Sequence, residues 1–596
     1  MSYFDDASLV MIPSGYKTSK VYSVKPTDGT GDLAFTRSND TATRVGPDGL
    51  IEKVRTNLIL QSEAFNVTWV PVRSSVTANT TTAPDGTSTA DTLFDNTDAN
   101  LHYVSQSFTA ITGPATISVY AKANQLSQIQ IVAQGGTAAM GRGFDLSTGT
   151  TFAESVGGVT SNDLGQNITA VGDGWYRCTM SWTSTGQTSF WILTSKTNAS
   201  TYVGTGTDGV FIWGAQLETG DIATDYIATT TAAVSVGPVA NVPRLDYLNS
   251  SCPRLLLEPQ RVQLLQFSEQ MDNAVWTKTG GTISANVSAT VDPSGYNGAD
   301  KLVGTAGAAD QVLVGQSISL GAAGTYTFSF FVKAAEKTWV RLRTLGFDAG
   351  GNQQTWFNLS TGAVGTDGFG NSKIVSYGNG WYRCIVSFAT TTDLIGSVYA
   401  YLADSDNTTN VTRNGTDGLY LWGSMLELGS YATSYVNSLG AAVTRGADAA
   451  SKTGISSLIG QTEGTIFVDI TTTDDITTVT PIGISDGTGS NRVILYVGSG
   501  ILNALVTVSG VAQATISSSS ISANTRYKMA IGYKENDFAF YVNGVQIGTD
   551  TSGTVPACSK FNYDNGSGSA PFYGLNNQAL LFPTRLSNSE LAALTA

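Results

Sequence analysis

The sequence predicts an all-β protein: two like β-sandwiches in tandem, a third sandwich of different build, and a short anchor in front. Three observations predict this. A pentapeptide occurs twice, as Gly174-Trp175-Tyr176-Arg177-Cys178 and as Gly380-Trp381-Tyr382-Arg383-Cys384. Each copy opens a stretch in which apolar residues alternate, the period-2 pattern of a half-buried strand. The composition agrees: 13% of the 596 residues are charged and 65 are glycine, against a usual charged share of about 25%. Ser and Thr are plentiful and long helical patterns are absent, as expected of strands joined by tight turns.

Residues 1–56 are too few and too polar for a domain of their own. Leu33-Ala34-Phe35-Thr36 reads as a short strand, and Gly29-Thr30-Gly31 and Pro47-Asp48-Gly49 as turns. Such a segment gains order by docking on something else and is read as an anchor. The first repeat spans 57–230 and the second 263–438. Their openings, around Ser62-Glu63 and Ser268-Glu269, are alike, and Trp69 and Trp276 follow. Leu146-Ser147-Thr148-Gly149 returns as Leu359-Ser360-Thr361-Gly362, and Thr207-Asp208-Gly209 as Thr416-Asp417-Gly418. Strands at 117–123 and 328–334 carry Lys122 and Lys333 at like positions. In the duplicated strands, Tyr176, Cys178, Met180 and Trp182, and likewise Tyr382, Cys384, Val386 and Phe388, make the core face. The number and spacing of strands suggest a jelly-roll sandwich in each repeat.

Residues 231–262 form a linker, stiffened by Pro243, Pro253 and Pro259. From 447 to 596 no third copy follows. Strands are read at 464–470, 492–497, 526–532 and 537–542, with Asn543-Gly544 as a hairpin turn. Ser587 and Glu590 make a capping box ahead of a short terminal helix.

The residues offer little for catalysis. The one histidine, His102, sits between Leu101 and Tyr103 in an apparent strand, and a Ser-His-Asp or Cys-His arrangement would have to use it. The four cysteines show no metal-ligand spacing, and the expectation is a protein that is not an enzyme. Asp208 and Asp417, each before glycine, read as turn formers, with calcium ligation the alternative and no other cofactor expected. The candidate ligand-binding residues are on the second face of the repeated strands. Trp175 with Arg177, and Trp381 with Arg383, would set an aromatic platform beside a charged fork, to which sugars stack and hydrogen-bond. The other reading is that each Trp covers a sheet and each Arg pairs with a structural carboxylate. The net charge of −14 disfavours a nucleic-acid partner. No apolar run reaches the ~20 residues that span a bilayer, so no membrane insertion is expected. No secretion leader is visible in residues 1–20.

The repeat openings, the Ala83-Pro84-Asp85-Gly86-Thr87 turn and the Gly-Trp-Tyr-Arg strands resemble the head-spike or head-fibre proteins of tailed bacteriophages, whose jelly rolls are akin to carbohydrate-binding modules. The run from Phe35 to Glu52 is similar to the start of such fibres. The last ~150 residues resemble the concanavalin A-like lectin/laminin-G fold, chiefly through Phe540-Tyr541-Val542-Asn543-Gly544. The resemblance implies a virion structural fibre, preferably on the head, attached to a capsid protein through its N-terminal segment and assembled in the host cytoplasm. It also implies a homotrimer, or else a homodimer, that displays domains for surface glycans. A tail fibre or receptor-binding adhesin, and a secreted glycan-binding or polysaccharide-degrading protein, are the alternatives. Related lectin-like folds carry catalytic carboxylates as Glu-x-Asp-x-x-Glu, a pattern this sequence lacks.

Overall fold

The computed structural model describes residues 3–153, 156, 162–348, 353–477 and 479–596, and the chain in it is all-β. It divides into two compact units, residues 54–237 and residues 1–53 with 238–596.

In the 54–237 unit, two six-stranded antiparallel sheets face each other. One has Trp175–Thr185 beside Thr112–Lys122, which is followed in order by Gly209–Thr219 and Ala90–Asp95. The other has Met140–Asp145, Gln128–Gly135, Gln187–Ser195 and Tyr103–Ser107 as its middle strands. The core between them takes Cys178, Met180 and Trp182 from the first sheet and Ile129, Ile131 and Ile192 from the second.

The second repeat, within the other unit, is built alike. Trp381–Thr390 lies beside Gly324–Ala334, and the Lys333↔Trp381 register repeats Lys122↔Trp175. Cys384, Val386 and Phe388 are buried in its core and Tyr382 packs partly against it. The repeated Leu-Ser-Thr-Gly turn has a physical reason. Gly149 and Gly362 both hold φ of +67°, where a side chain is strained, and a Cβ would stand 2.9 Å from the Tyr176 ring and 2.8 Å from the Tyr382 ring. The connectors also serve the repeats, since Val234–Val236 pairs with Arg55–Asn57 and Val443–Arg445 with Arg261–Gln263.

The C-terminal sandwich corrects the reading of residues 1–56 as a separate anchor and of 231–262 as a plain linker. Leu9–Met11 pairs with Gly574–Phe582, and Leu33–Thr36 pairs with Ala449–Thr453. Arg244–Asp246 and Arg254–Leu257 extend the same sheet as Gly574–Phe582. The sandwich therefore has one eight-stranded and one nine-stranded sheet, drawn from three separate stretches of chain. Strand edges in need of backbone partners explain the recruitment. Leu9, Met11, Phe35, Leu245 and Leu255 complete its core. The four expected strands are present as Glu463–Thr471, Arg492–Gly498, Arg526–Lys534 and Asp537–Val542. Asn543 and Gly544 take φ of +46° and +80°, as a two-residue hairpin turn requires. Ser587 and Glu590 cap the helix Asn588–Thr595 reciprocally.

A buried ionic network ties these stretches together. Arg37 Nη1 lies 3.2 Å from Asp448 Oδ1, Arg244 bridges Asp448 and Glu258, and Arg445 Nη1 lies 2.8 Å from Glu258 Oε2. The side chains of Arg37, Arg244, Arg445 and Asp448 have no exposure. Further donors find carbonyls: Arg37 Nη2 donates to those of Pro238 and Val239, and Arg445 Nη2 to that of Pro259, while Nε of Arg244 and of Arg445 is buried without a partner. Buried charge of this density is tolerable only when paired and hydrogen-bonded.

Candidate functional site

The structure does not place Trp175 and Trp381 on an open platform. They are 2% and 1% exposed. The face on which they lie is covered by chain that the alternation of the strand says nothing about. Trp175 packs with Ala83, Ala90 and Trp213, and its indole Nε1 donates to Thr82 O at 3.1 Å. Trp381 packs with Val45, Ile51, Phe331, Trp422 and Tyr435, and its Nε1 donates to Val291 O at 2.8 Å. The arginines beside them are structural. Arg177 Nη2 donates to Ser118 Oγ at 2.9 Å and its guanidinium lies over the Tyr120 ring. Arg383 is 2% exposed and donates to Ser329 Oγ and to Thr433 O. The face is packed, as the other reading has it, although the arginines bind hydroxyls and a carbonyl instead of a carboxylate.

Asp208 and Asp417 occupy turns before the strands Gly209–Thr219 and Gly418–Leu428. Each faces an ammonium group, Lys196 at 3.9 Å and Lys337 at 3.9 Å. Among the described residues no three His, Cys, Asp or Glu side chains gather as a metal site. His102 is fully buried, with Nδ1 2.7 Å from Arg73 O and Nε2 3.2 Å from Tyr202 O, so its ring is spent on backbone groups.

A different face of each repeat carries aromatic residues outside the core. It is the outer side of the sheet that lacks the duplicated Trp strand. In the first repeat Tyr103 and Trp191 stack at 4.3 Å with rings 9° apart, both partly exposed. Phe152 lies on Gly143, where a Cβ would come within 2.3 Å of its ring, so only glycine leaves that ring its place. Gln128 and Asp145 hydrogen-bond beside them at 2.8 Å.

In the second repeat the corresponding strands are Trp339–Leu345, Gln354–Asn358 and Ile395–Ala403. Arg341 stands opposite Trp356 and Tyr401, and all three are buried, at 1%, 2% and 3% exposed, so what this face offers to solvent is its margin. Its guanidinium lies 3.8 Å from the centre of the Tyr401 ring and 5.7 Å from that of Trp356. Burial pushes its pKa down to about 10, more strongly than Tyr401 restores it. Arg341 Nη1 donates weakly to Gln354 Oε1 at 3.4 Å, while Nε and Nη2 have no partner. Trp339, Arg343 and Tyr399 form the partly exposed margin.

The match between Asp145 and Asn358, each next to the repeated Leu-Ser-Thr-Gly turn, aligns the two faces. Cross-strand register then makes Gln130 equivalent to Arg341, Leu193 to Tyr401 and Trp191 to Tyr399. The copies keep an apolar core, with Met180 and Trp182 matched by Val386 and Phe388, and differ in polarity on this face. Sequence reasoning missed it, but a signal exists: Trp339, Arg341 and Arg343 alternate with Val340 and Leu342, which puts an aromatic and two cations opposite an aliphatic face.

No protein-family model matches the sequence, and no curated protein matches it. Among solved structures, the CBM40 module of the Ruminococcus gnavus sialidase matches 23% of this chain and 84% of its own, at 17% identity and a TM-score of 0.21. The tandem CBM22 modules of Paenibacillus barcinonensis Xyn10C match 63% of this chain and 98% of theirs, at 11% identity and a TM-score of 0.20. Domains LG4-5 of the mouse laminin α1 chain match 46% of this chain and 88% of theirs, at 10% identity and a TM-score of 0.18. At such identities and scores, what the chain binds has to be argued from its own residues.

Proposed function

We propose that the protein is a glycan-binding fibre protein whose binding surfaces are the outer aromatic faces of its two repeated sandwiches. One observation carries this reading: aromatic rings in both copies stand outside the cores, interleaved with Gln, Arg and Ser. A sugar offers apolar C–H faces to such rings and hydroxyls to such polar groups, and a few aromatic anchors dominate the energy of a contact. The divergence between the two faces favours a different glycan for each copy.

The motif resemblance supports display on a tailed-phage virion, on the head before the tail, as a homotrimer or else a homodimer. Many weak sites on one particle then act together, and avidity exceeds single-site affinity by about 10²–10⁴. Since strands between residues 9 and 36 belong to the C-terminal sandwich, attachment to a capsid partner would use the surface of that whole sandwich. Immunogold labelling of the N-terminus on intact particles tests this, with gold at the shell expected and unlabelled particles against it.

The binding reading is tested by a glycan array probed with the full chain and with Trp191→Ala and Tyr399→Ala. Each variant is expected to lose about tenfold or more of its face's signal, the equivalent of about 1.4 kcal/mol. Melting should change little, because both side chains lie outside the cores. Unaltered array signal in both variants would remove these faces as binding surfaces.

A further inference from the structure

A cleft of about 440 Å³ opens within the unit formed by residues 1–53 and 238–596. Four stretches wall it: residues 43–51, the bridge at 246–258, the second repeat at 373–385 and 431–435, and the C-terminal sandwich at 471–474 with Asn524. Ligand sites favour such junctions and such volumes. The walls are mainly apolar and include the rings of Tyr377 and Tyr431.

The charges around it are unequal. Arg44, Arg254, Lys373 and Arg383 line the cleft, against the carboxylates Asp246, Glu258 and Asp474. Those carboxylates are largely committed elsewhere. Glu258 binds Arg244 at 2.6 Å and Arg445 at 2.8 Å, neither of which lines the cleft. Asp246 accepts the backbone N–H groups of Val45 and Leu248, both at 2.9 Å, and is 3.6 Å from Arg254. Asp474 pairs directly with the lining cation Lys373, as Asp246 does at longer range with Arg254. Arg254 Nε and Arg44 Nη1 are buried without a partner. Of the lining cations, Arg44 is paired with Glu52 at 2.6 Å, which leaves Arg254 and Lys373 as the cations placed for a ligand in a chain of net charge −14.

We propose that this cleft is a second ligand site and takes an acidic saccharide. The carboxylate of the sugar would be held between Arg254 and Lys373, and its ring would lie against Tyr377 and Tyr431. Arginine suits a carboxylate because its planar fork offers two parallel donors. Phenol rings and apolar walls suit the C–H faces of a pyranose better than they suit a bare inorganic anion. The site is independent of the outer faces: either can fail while the other stands.

The test is calorimetric titration of the full chain with digalacturonic acid, and with lactose as the neutral probe. Wild type is expected to bind the acidic disaccharide at least tenfold more tightly than lactose. Lys373→Gln and Arg254→Gln should each weaken it about tenfold or more, and the double variant Trp191→Ala/Tyr399→Ala should bind it as wild type does. Lys373 is 39% exposed, so its variant should fold even if that of Arg254 does not. Absence of binding by wild type, equal affinity for both sugars, or undiminished binding by Lys373→Gln would overturn the proposal. Loss of binding in the outer-face double variant would overturn it too, by moving the acid to those faces.

Discussion

Replacing Glu258 by glutamine is expected to destabilise the unit containing residues 238–596 by about 3–5 kcal/mol, the usual cost of breaking a buried ion pair from one side. Glutamine keeps the volume and its single oxygen can still accept one of the two hydrogen bonds that Ser434 donates to the carboxylate oxygens. It removes the charge that faces Arg244 and Arg445, so the loss is electrostatic. Among the described residues, Arg445 has Glu258 as its one carboxylate within 4.0 Å, and it is buried. Urea denaturation of the full chain, followed by tryptophan fluorescence, reads the change as a lower midpoint. A loss under 1 kcal/mol would show that the network is dispensable.

The same residue makes a pH prediction. Burial alone raises the Glu258 pKa, but Arg445 and Arg244 outweigh it and hold the group well below the ordinary glutamate value. A carboxyl whose folded pKa is depressed stabilises the fold above its unfolded pKa, about 4.3, and that contribution is lost as pH falls below it toward the folded value. Wild type should therefore lose stability steeply on acidification below about pH 4, and Glu258→Gln should show a shallower slope over that window. Equal slopes would mean that other carboxylates govern the acid limb.

Much of the strand order was open to sequence reasoning, because alternation and duplication are local properties. Tyr176 through Trp182 and Tyr382 through Phe388 announce their core face by period alone. The Leu-Ser-Thr-Gly echo also has a local cause, a glycine held at positive φ under a tyrosine ring. What the sequence withheld is long-range. Leu33–Thr36 pairs with Ala449–Thr453, and nothing in either stretch names the other. Arg37, Arg244, Glu258 and Asp448 look like isolated charges until the fold brings them together. The platform reading failed for the same reason. Period 2 says that Trp381 points away from the core of its own sandwich, but it is silent on Val45 and Ile51, which arrive from the far N-terminal stretch to bury it.

Trp381→Ala separates the two readings of that strand most sharply. An exposed platform would lose glycan binding and keep its melting temperature. The structure gives the reverse expectation: a loss of about 3–5 kcal/mol from the large-to-small change in a packed site. Truncation empties a space walled by Phe331, Trp422 and Tyr435, whose rings are set edge-on or tilted to one another and have little room to collapse. It also strips Val291 O of its 2.8 Å donor, a smaller loss because Val291 is exposed and water can replace the indole N–H there. Trp381→Phe keeps most of the ring but not the N–H, so it should fall between wild type and alanine. Trp175→Ala should destabilise the 54–237 unit by a similar amount, since Trp175 has the same depth and the same kind of carbonyl partner in Thr82. In the glycan array, any Trp381→Ala protein that remains folded at low temperature should bind as wild type does. An unchanged denaturation midpoint with abolished glycan signal would restore the platform and overturn the packing described for this face.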